Sequence, residues 1–431
     1  MQLFYESLDL EINVKKTKVM IFNKKGRTFE NKYSFSIKDQ KLEITDQYQY
    51  LGLKLHPSGS FNFSVKELYD KASRAWFSIS NIIFQNNRMQ VDRALGIFDS
   101  LVAPVATYGA PLWLPFTIPQ KIFISSGNIL EFWDKMQIEK LNQKCCRMIL
   151  SVNKKTSRLA VLGELARYPV FIPCLAQCLS YKLSLQHRQV PDSLLGHVMT
   201  EMAQMSDMGQ DCWLTRVNNI EKLLKIPKTY GPIKTRGKKL TNILKGKFDR
   251  FWLDKITELK IGTDNNDHNK LRTYKSFKAS FTREPYLDLV RNRNQRSFLT
   301  RLRVSSHNLA IERGRYTRPA TPVNLRTCKY CKPSPTAPGT SSSRSPGSPQ
   351  IDTELHFLNQ CPAFENERNC VFEKIEQIDP NFSQLNEQEK FCKLLCPINA
   401  QLAKLSNKLI KMMFESRNRI DLGQQINNYE A

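Results

Sequence analysis

The sequence predicts a mainly α-helical chain with a small antiparallel β segment at its amino end, which is an α+β arrangement. Residues 17–55 alternate apolar and polar side chains with the period of two that is typical of strands. After residue 58 the apolar residues recur at helical spacing. Long helices are expected near 62–86, 88–109, 128–151 and 156–186, and two or three amphipathic helices near 365–418.

The β segment is expected to be the edge of a larger sheet, with one apolar face exposed. Its alternating residues are Val19, Ile21, Tyr33, Phe35, Ile37, Leu42, Ile44, Tyr48 and Tyr50. In the helices that follow, the apolar positions predict a helical core. The clearest stripe lies in segment 128–151 and comprises Leu130, Trp133, Leu141, Cys145, Met148 and Ile149.

The charge of the chain favours a polyanionic partner. It has 65 Lys and Arg residues against 40 Asp and Glu residues, a net charge of +25, and such a field attracts phosphate groups. A basic surface that only keeps the protein soluble is the alternative. The sequence predicts neither secretion nor membrane spanning, because no leader pattern stands at Met1 and the most apolar stretch, 97–116, contains Asp99 and three prolines.

Two stretches concentrate the positive charge. In 225–250 the basic residues alternate with Tyr230, Phe248 and Phe251, a pattern that suits phosphate contact with base stacking, although a solvated basic helix would look similar. Stretch 272–326 is dominated by arginine, which favours RNA contact because guanidinium groups bind phosphate oxygens and stack on bases. The residues predicted to contact nucleic acid are Lys234, Arg236, Lys238, Lys239, Arg301, Arg303, Arg313 and Arg315. His307 is expected to be a satisfied, partly buried side chain.

A candidate zinc site comes from Cys328, Cys331, His356 and Cys361. Three thiolates and an imidazole complete a tetrahedron that leaves no open position, so the metal would be structural. The 24 residues between Cys331 and His356 are an unusual separation, and most of them form a Pro/Ser/Gly/Thr-rich insert, 333–350, that is expected to be disordered. Cys370 is an alternative ligand, while the pairs Cys174/Cys178 and Cys392/Cys396 are expected to be ordinary buried thiols.

Several short motifs occur in a fixed order along the chain. The first reads Leu-x-x-Asn-x-x-Lys-Thr-Lys and the second Tyr-Leu-Gly, and their main residues are Asn13, Lys16, Thr17, Tyr50, Leu51 and Gly52. Later motifs are Leu-Val-Ala-Pro at 101–104, Tyr-Gly-Ala at 108–110 with Trp113, Gly-Glu-Leu-Ala-Arg at 163–167, a run from His307 to Tyr316, and His-Phe-Leu-x-x-Cys-Pro at 356–362. This series resembles the carboxyl-terminal part of the reverse transcriptases of non-LTR (LINE-type) retrotransposons.

The resemblance implies a domain order and a parent activity. The expected segments are a distal palm remnant at 1–57, a helical thumb and connector at 58–224, a basic nucleic-acid-binding connector at 225–326, a Cys-Cys-His-Cys zinc knuckle at 327–370 and a helical tail at 371–431. The parent activity is RNA-directed DNA synthesis primed at a chromosomal target, with RNA and DNA as partners in a ribonucleoprotein of nucleus and cytoplasm.

Catalysis by this chain alone is not expected. A two-metal polymerase site needs clustered carboxylates, the strand that carries them in the family would precede Met1, and no Asp-Asp dipeptide occurs in the sequence. The parent magnesium site is therefore predicted to be missing, and Lys16 would keep only phosphate contact or plain exposure. Two alternatives remain open: a co-opted RNA- or DNA-binding adaptor, and an incomplete gene product of a full-length active enzyme.

Overall fold

The structure is a computed structural model. It describes residues 5, 7–23, 33–37, 39–85, 87–124, 128–188, 190, 192–227, 233–257, 270–331 and 350–427. The predicted insert at 333–350 lies outside these residues except for Gln350, and Tyr230 also lies outside them. The chain is mainly helical with a few short strands, as the sequence predicts.

The strands form three separate two-stranded pairs in place of one antiparallel sheet. Ser36–Ile37 pairs with Gln40–Lys41 and Tyr48–Tyr50 pairs with Leu53–Leu55, both antiparallel. Lys18–Val19 pairs with Glu43–Ile44 in parallel, so the prediction of an entirely antiparallel segment is wrong for this pair. The physical reason is that more than twenty residues separate the two strands, which is a long enough connection for a parallel crossover.

The predicted helices are present, and three of the long ones are broken. The helices before residue 260 are Asn62–Gln85, Val91–Leu101, Ala103–Ala106, Ala110–Thr117, Gln120–Ile124, Ile129–Trp133, Gln137–Leu150, Arg158–Leu165, Phe171–His187, Leu194–Asp207, Trp213–Leu223 and Ile233–Thr257. Proline in the first turn of Ala103–Ala106 starts a new helix there. Ala166 ends its helix in the left-handed conformation, with φ 46°.

Shorter elements dominate the carboxyl-terminal part. The helices are Tyr286–Leu289, Arg293–Arg303, Ala310–Arg313, Glu365–Glu376, Glu387–Leu395 and Ala400–Asn427. Short 3-10 turns occur at Tyr274–Ser276, Val323–Leu325 and Pro362–Phe364, and a π turn at His356–Gln360. The last three helices fall where the sequence predicts amphipathic helices, and their apolar residues are buried: Phe391, Leu394, Leu395, Leu409, Ile410 and Met413.

The chain forms two compact units. The first comprises Met1–Ser78, Asp99–Lys140 and Pro169–Lys247, and the second Ile79–Phe98, Leu141–Tyr168 and Phe248–Ala431. In the first unit, Phe171–His187 packs against Ala110–Thr117, and the indole of Trp213 donates to the Pro111 carbonyl at 2.8 Å.

The second unit is built around a short buried helix, Arg158–Leu165. The indole of Trp252 donates a hydrogen bond to the Leu159 carbonyl at 2.9 Å. Trp252 and Tyr274 press so closely on Gly163 that a Cβ there would lie 2.5 Å from the indole. The residue must therefore be glycine for this packing.

Among the described residues, no single helix is long and apolar enough to cross a membrane. One bent pair, Val91–Ala106 with Ala110–Thr117, reaches the length and composition for it, with a 75° bend between its two parts.

Candidate metal centre and basic cleft

The four predicted metal ligands converge. The Sγ atoms of Cys328 and Cys361 lie 3.8 Å apart, those of Cys331 and Cys361 3.5 Å apart, and the Cys331 Sγ lies 3.1 Å from His356 Nε2. All four ligand atoms lie within 4.8 Å of one another. Cys370 is exposed and takes no part in the cluster.

Local backbone structure places these side chains. An antiparallel bridge between Thr327 and Ile351 joins the two ends of the segment that contains the insert, and the Cys328 amide donates to the Gln350 carbonyl at 2.8 Å. This bridge brings the segment that begins with Cys328 alongside the segment that leads to His356.

A single π turn brings the third and fourth ligands together. The Cys361 amide donates to the His356 carbonyl at 2.8 Å, which is the i to i+5 pattern of a π helix. That pattern places residues five apart on the same side of the turn. It accounts for the His-x4-Cys spacing in the sequence.

The separations fit a tetrahedral ion. With metal–sulfur bonds of about 2.3 Å, a tetrahedral zinc separates two sulfur ligands by about 3.8 Å. The observed sulfur separations of 3.5 and 3.8 Å are close to that value. They are far longer than the roughly 2.05 Å of a disulfide. The cluster can therefore hold a metal such as zinc.

The pKa shifts of the three cysteine thiols also favour a bound cation. A hydrogen bond from Cys361 lowers the pKa of the Cys328 thiol to about 3, whereas burial raises the pKa of Cys331 to about 11. The hydrogen bond with Cys328, followed by burial, raises the pKa of Cys361 well above its usual value. One thiolate thus discourages its neighbours from ionising. A divalent cation at the centre would remove that repulsion and favour all three thiolates.

The cluster is fastened to the carboxyl-terminal helix Ala400–Asn427. Arg417 makes a bidentate pair with the buried Asp352 carboxylate at 3.0 and 2.5 Å. Its guanidinium also lies over the ring of Tyr330, 4.4 Å from the centroid, between the first two cysteines. The Tyr330 hydroxyl donates to Asp421 at 2.5 Å. These contacts fix the orientation of the Cys328–Cys331 turn.

Glu354, two residues before His356, ties the other half of the cluster to the basic stretch. Its buried carboxylate is within hydrogen-bonding distance of four side chains: Arg272 (2.5 Å), His307 (2.9 Å), Thr273 (3.0 Å) and Ser305 (3.2 Å). Burial alone would raise the pKa of this carboxyl, but Arg272 and His307 hold it well below its usual range. His307 is a satisfied buried histidine, as the sequence analysis expects.

Part of the predicted nucleic-acid contact set is wrong. Arg303 is fully buried and binds Glu164 and Glu284 at 2.9 and 2.5 Å, so it cannot reach a phosphate. The side chain of Arg315 is only 5% exposed and pairs with Glu312 at 3.0 Å. Sequence reasoning missed the Arg303 pair because Glu164 lies 139 residues earlier in the chain. It missed the Arg315 pair although Glu312 is only three residues away.

Other residues of that set remain at the surface. Arg301 and Arg313 are exposed in the second unit, and Lys238 and Lys239 are exposed on the helix Ile233–Thr257, which also carries the half-exposed Arg236 and the backbone of Lys234. The expected stacking partners nearby are not available, since Phe248 and Phe251 are buried. Both aromatic rings belong to the core because they follow the apolar face of this helix.

Three arginines that form no ion pair among the described residues gather at a cleft in the second unit. Its volume is about 1020 Å³, and Arg293, Arg301 and Arg313 line it together with Phe84 and Phe298. Five asparagine side chains from separate parts of the chain also line it, namely Asn81, Asn153, Asn294, Asn308 and Asn418. The sequence signalled the arginines but gave no sign of their convergence.

The residues of the first two motifs have structural roles in the first unit. The Asn13 carboxamide accepts from the Lys16 amide at 3.1 Å, and the Thr17 hydroxyl donates to the Asn13 carbonyl at 2.9 Å, which closes a turn. Leu51 and Gly52 form the hairpin turn with φ of 45° and 84°.

The hairpin that contains Tyr50 is joined to the Tyr-Gly-Ala motif. The Tyr108 hydroxyl donates to the Leu51 carbonyl at 2.8 Å, and a Cβ on Gly109 would lie 2.8 Å from Leu53. The indole of Trp113 then donates to the Tyr108 carbonyl at 2.8 Å. Two motifs that are separated by more than fifty residues thus form one packing unit.

Comparisons with family models, with curated proteins and with solved structures found nothing that matches this chain.

Proposed function

We propose that this chain is a nucleic-acid-binding protein derived from the carboxyl-terminal part of a LINE-type reverse transcriptase, and that it carries a structural zinc knuckle. The observation that carries the proposal is the convergence of Cys328, Cys331, His356 and Cys361 at tetrahedral separations. A Cys-Cys-His-Cys site at this point of the motif order is what the resemblance implies. Zinc is the metal that suits three thiolates and one imidazole in a closed tetrahedron.

The packing of the motifs supports one scaffold of common origin. Tyr-Leu-Gly at 50–52 contacts Tyr-Gly-Ala at 108–110, and Glu164 of Gly-Glu-Leu-Ala-Arg binds Arg303 of the arginine-rich stretch. Motif residues that hold each other in place are expected to persist together. In this proposal the first motifs are the remnant of a palm, and the helices after residue 58 correspond to a thumb.

The proposed activity is binding without polymerisation. The net charge of +25 and the unpaired arginines at the cleft provide phosphate contacts. The two-metal chemistry of the parent enzyme needs clustered carboxylates, and no Asp-Asp dipeptide occurs in this sequence. RNA and DNA are therefore the proposed ligands of the chain.

Metal substitution tests the zinc knuckle. The purified chain, reconstituted with cobalt(II), should show the intense visible bands of a tetrahedral thiolate site, and zinc should displace them at one equivalent. Cys361→Ser should abolish these bands, whereas the matched control Cys370→Ser should keep them because Cys370 lies outside the cluster. Equal spectra for the two variants would refute the assignment of the ligands.

Primer extension and filter binding test the activity. The full chain with magnesium and nucleotides should bind an RNA template without extending a primer, and log affinity should fall linearly with log salt concentration. Extension above a heat-inactivated control would overturn the proposed lack of catalysis. The absence of binding to RNA and to DNA at low salt would overturn the proposed function itself.

A further inference from the structure

The arginines of stretch 272–326 divide into two groups by their partners. Those of the first group face carboxylates: Arg272 (Glu312 and Glu354), Arg283 (Asp92 and Asp288), Arg303 (Glu164 and Glu284) and Arg315 (Glu312). The second group includes Arg293, Arg301 and Arg313, which have no ion pair within the part of the chain that the structure describes. All three line the cleft of about 1020 Å³.

The charge at this cleft is consequently not neutralised from within. Arg293 lies over the ring of Phe84, 4.8 Å from its centroid, and burial lowers the pKa of its guanidinium. Among the described residues, the Arg301 guanidinium is held by one hydrogen bond, from its Nε to the Ser151 carbonyl at 2.9 Å, which leaves its terminal amino groups available. The one acidic residue in the lining, Asp421, is already bound by Lys329 and Tyr330.

The remaining lining offers the other chemistry that an unpaired nucleotide needs. Phe298 and Phe414 are half-buried and present aromatic surface, and five asparagines supply hydrogen-bond donors and acceptors for base edges. The volume corresponds to the upper end of ordinary ligand pockets, which run from about 300 to 1000 Å³. A space of about 1020 Å³ has room for a short unpaired segment but cannot enclose a duplex.

We propose that this cleft is the site at which the chain holds unpaired nucleotides of a nucleic-acid strand, with Arg293, Arg301 and Arg313 on the phosphates. This inference rests on the proposed function and names the place and the form of the ligand. Single strands are bound in preference to duplexes because only an unpaired base can enter the cleft. RNA and DNA share the chemistry involved, and the test separates them.

The test compares two double variants that remove equal charge from the second unit. Arg301→Ala/Arg313→Ala removes two arginine side chains from the lining of the cleft. The control Lys404→Ala/Lys408→Ala removes two exposed lysines that line a different cavity of about 540 Å³. The affinities of the full-length proteins for fluorescent 8-mers of RNA and DNA, and for a hairpin duplex, would be measured by anisotropy across salt. Circular dichroism would verify that each variant is folded.

Loss of two phosphate contacts should lower the slope of log affinity against log salt concentration by about 1.4 for single strands. At 0.1 M salt this corresponds to binding roughly 25-fold weaker than that of the wild-type protein. The lysine variant should keep the wild-type slope, and duplex binding should change little in both variants. Equal losses of affinity in the two double variants would overturn the assignment of the cleft as the binding site and leave the proposed function intact. Failure of the wild-type protein to bind any of the oligonucleotides would instead overturn the proposed function.

Photo-crosslinking of the wild-type protein keeps the inference testable if the cleft variant does not fold. An 8-mer that contains 4-thiouridine should give adducts in peptides that cover 293–303 and 306–313. Adducts confined to the basic helix at 233–257 would contradict the proposal. The same experiment with a thio-substituted DNA 8-mer shows which of the two sugars the cleft prefers.

Discussion

Replacing Glu164 by glutamine removes one of four charges from a buried cluster and should destabilise the second unit strongly. The cluster comprises two cations, Arg303 and Lys278, and two carboxylates, Glu164 and Glu284, so it is neutral as a whole. The side chains of Arg303 and Glu164 are both 0% exposed. Burial alone would lower the pKa of Arg303, and the two carboxylates instead raise it well above its usual value.

The magnitude follows from the charge left over. Glu164→Gln leaves two buried cations with one carboxylate, and breaking such a pair from one side costs about 3–5 kcal/mol. Arg303→Met leaves the opposite excess and should cost a similar amount. The double variant keeps the neutral Lys278–Glu284 pair. Its loss should therefore be smaller than the sum of the single losses by about 0.5–3 kcal/mol.

Urea unfolding followed by circular dichroism measures these differences on the full chain. Glu373→Gln is the matched control, because Glu373 is exposed on the helix Glu365–Glu376 of the same unit, and its change should stay within about 0.5 kcal/mol. Charge compensation would be refuted if the losses of unfolding free energy in the two single variants simply added in the double variant. A loss below about 1 kcal/mol for Glu164→Gln would refute it as well.

Three further predictions concern single positions. Gly163→Ala should lower the free energy of unfolding by about 1–3 kcal/mol, because the new methyl group would meet the Trp252 indole at 2.5 Å. The control is Gly246→Ala, whose methyl group would meet nothing within 4 Å. In the same urea titration it should be neutral or stabilising by up to about 1 kcal/mol. Tyr108→Phe should cost about 0.5–1.5 kcal/mol through loss of the hydrogen bond to Leu51, and Tyr50→Phe, whose ring is exposed, should cost nothing measurable. Iodoacetamide at pH 8 should alkylate the exposed Cys370 within minutes and leave Cys178 unmodified, because burial raises the pKa of the Cys178 thiol to about 12. Mass spectrometry would locate the label. Labelling of Cys178 in the folded protein would contradict its burial.

The sequence predicted the features that a few neighbouring residues determine. Helical periodicity located the helix Asn62–Gln85 to within one residue of its carboxyl end, and spacing selected the four side chains that converge at the metal cluster. Helix breaks were missed with and without a signal in the sequence. Ala166 in the left-handed conformation gives no composition signal, whereas the break before Ala103–Ala106 was missed although a proline marks it.

Contacts between distant segments could not be predicted in this way. Arg303 and Arg301 differ by two positions in one helix, and the sequence gives both the same basic, arginine-rich surroundings. One points to Glu164, 139 residues earlier in the chain, and the other to the Ser151 carbonyl at the rim of the cleft. Which arginine is structural depends on the packing of three remote segments, so an arginine count overstates the surface available to phosphate.

The same distinction affects what the motifs can tell about activity. Gly109 and Gly163 stand in two different motifs, and each faces a side chain so closely that a Cβ would lie within 3 Å of it. Glu164 of the second motif is part of the buried charge cluster and pairs with Arg303. These residues are explained by folding alone, so their presence in a motif does not indicate catalysis. Activity must therefore be decided by the residues that remain available: the metal cluster and the arginines of the cleft.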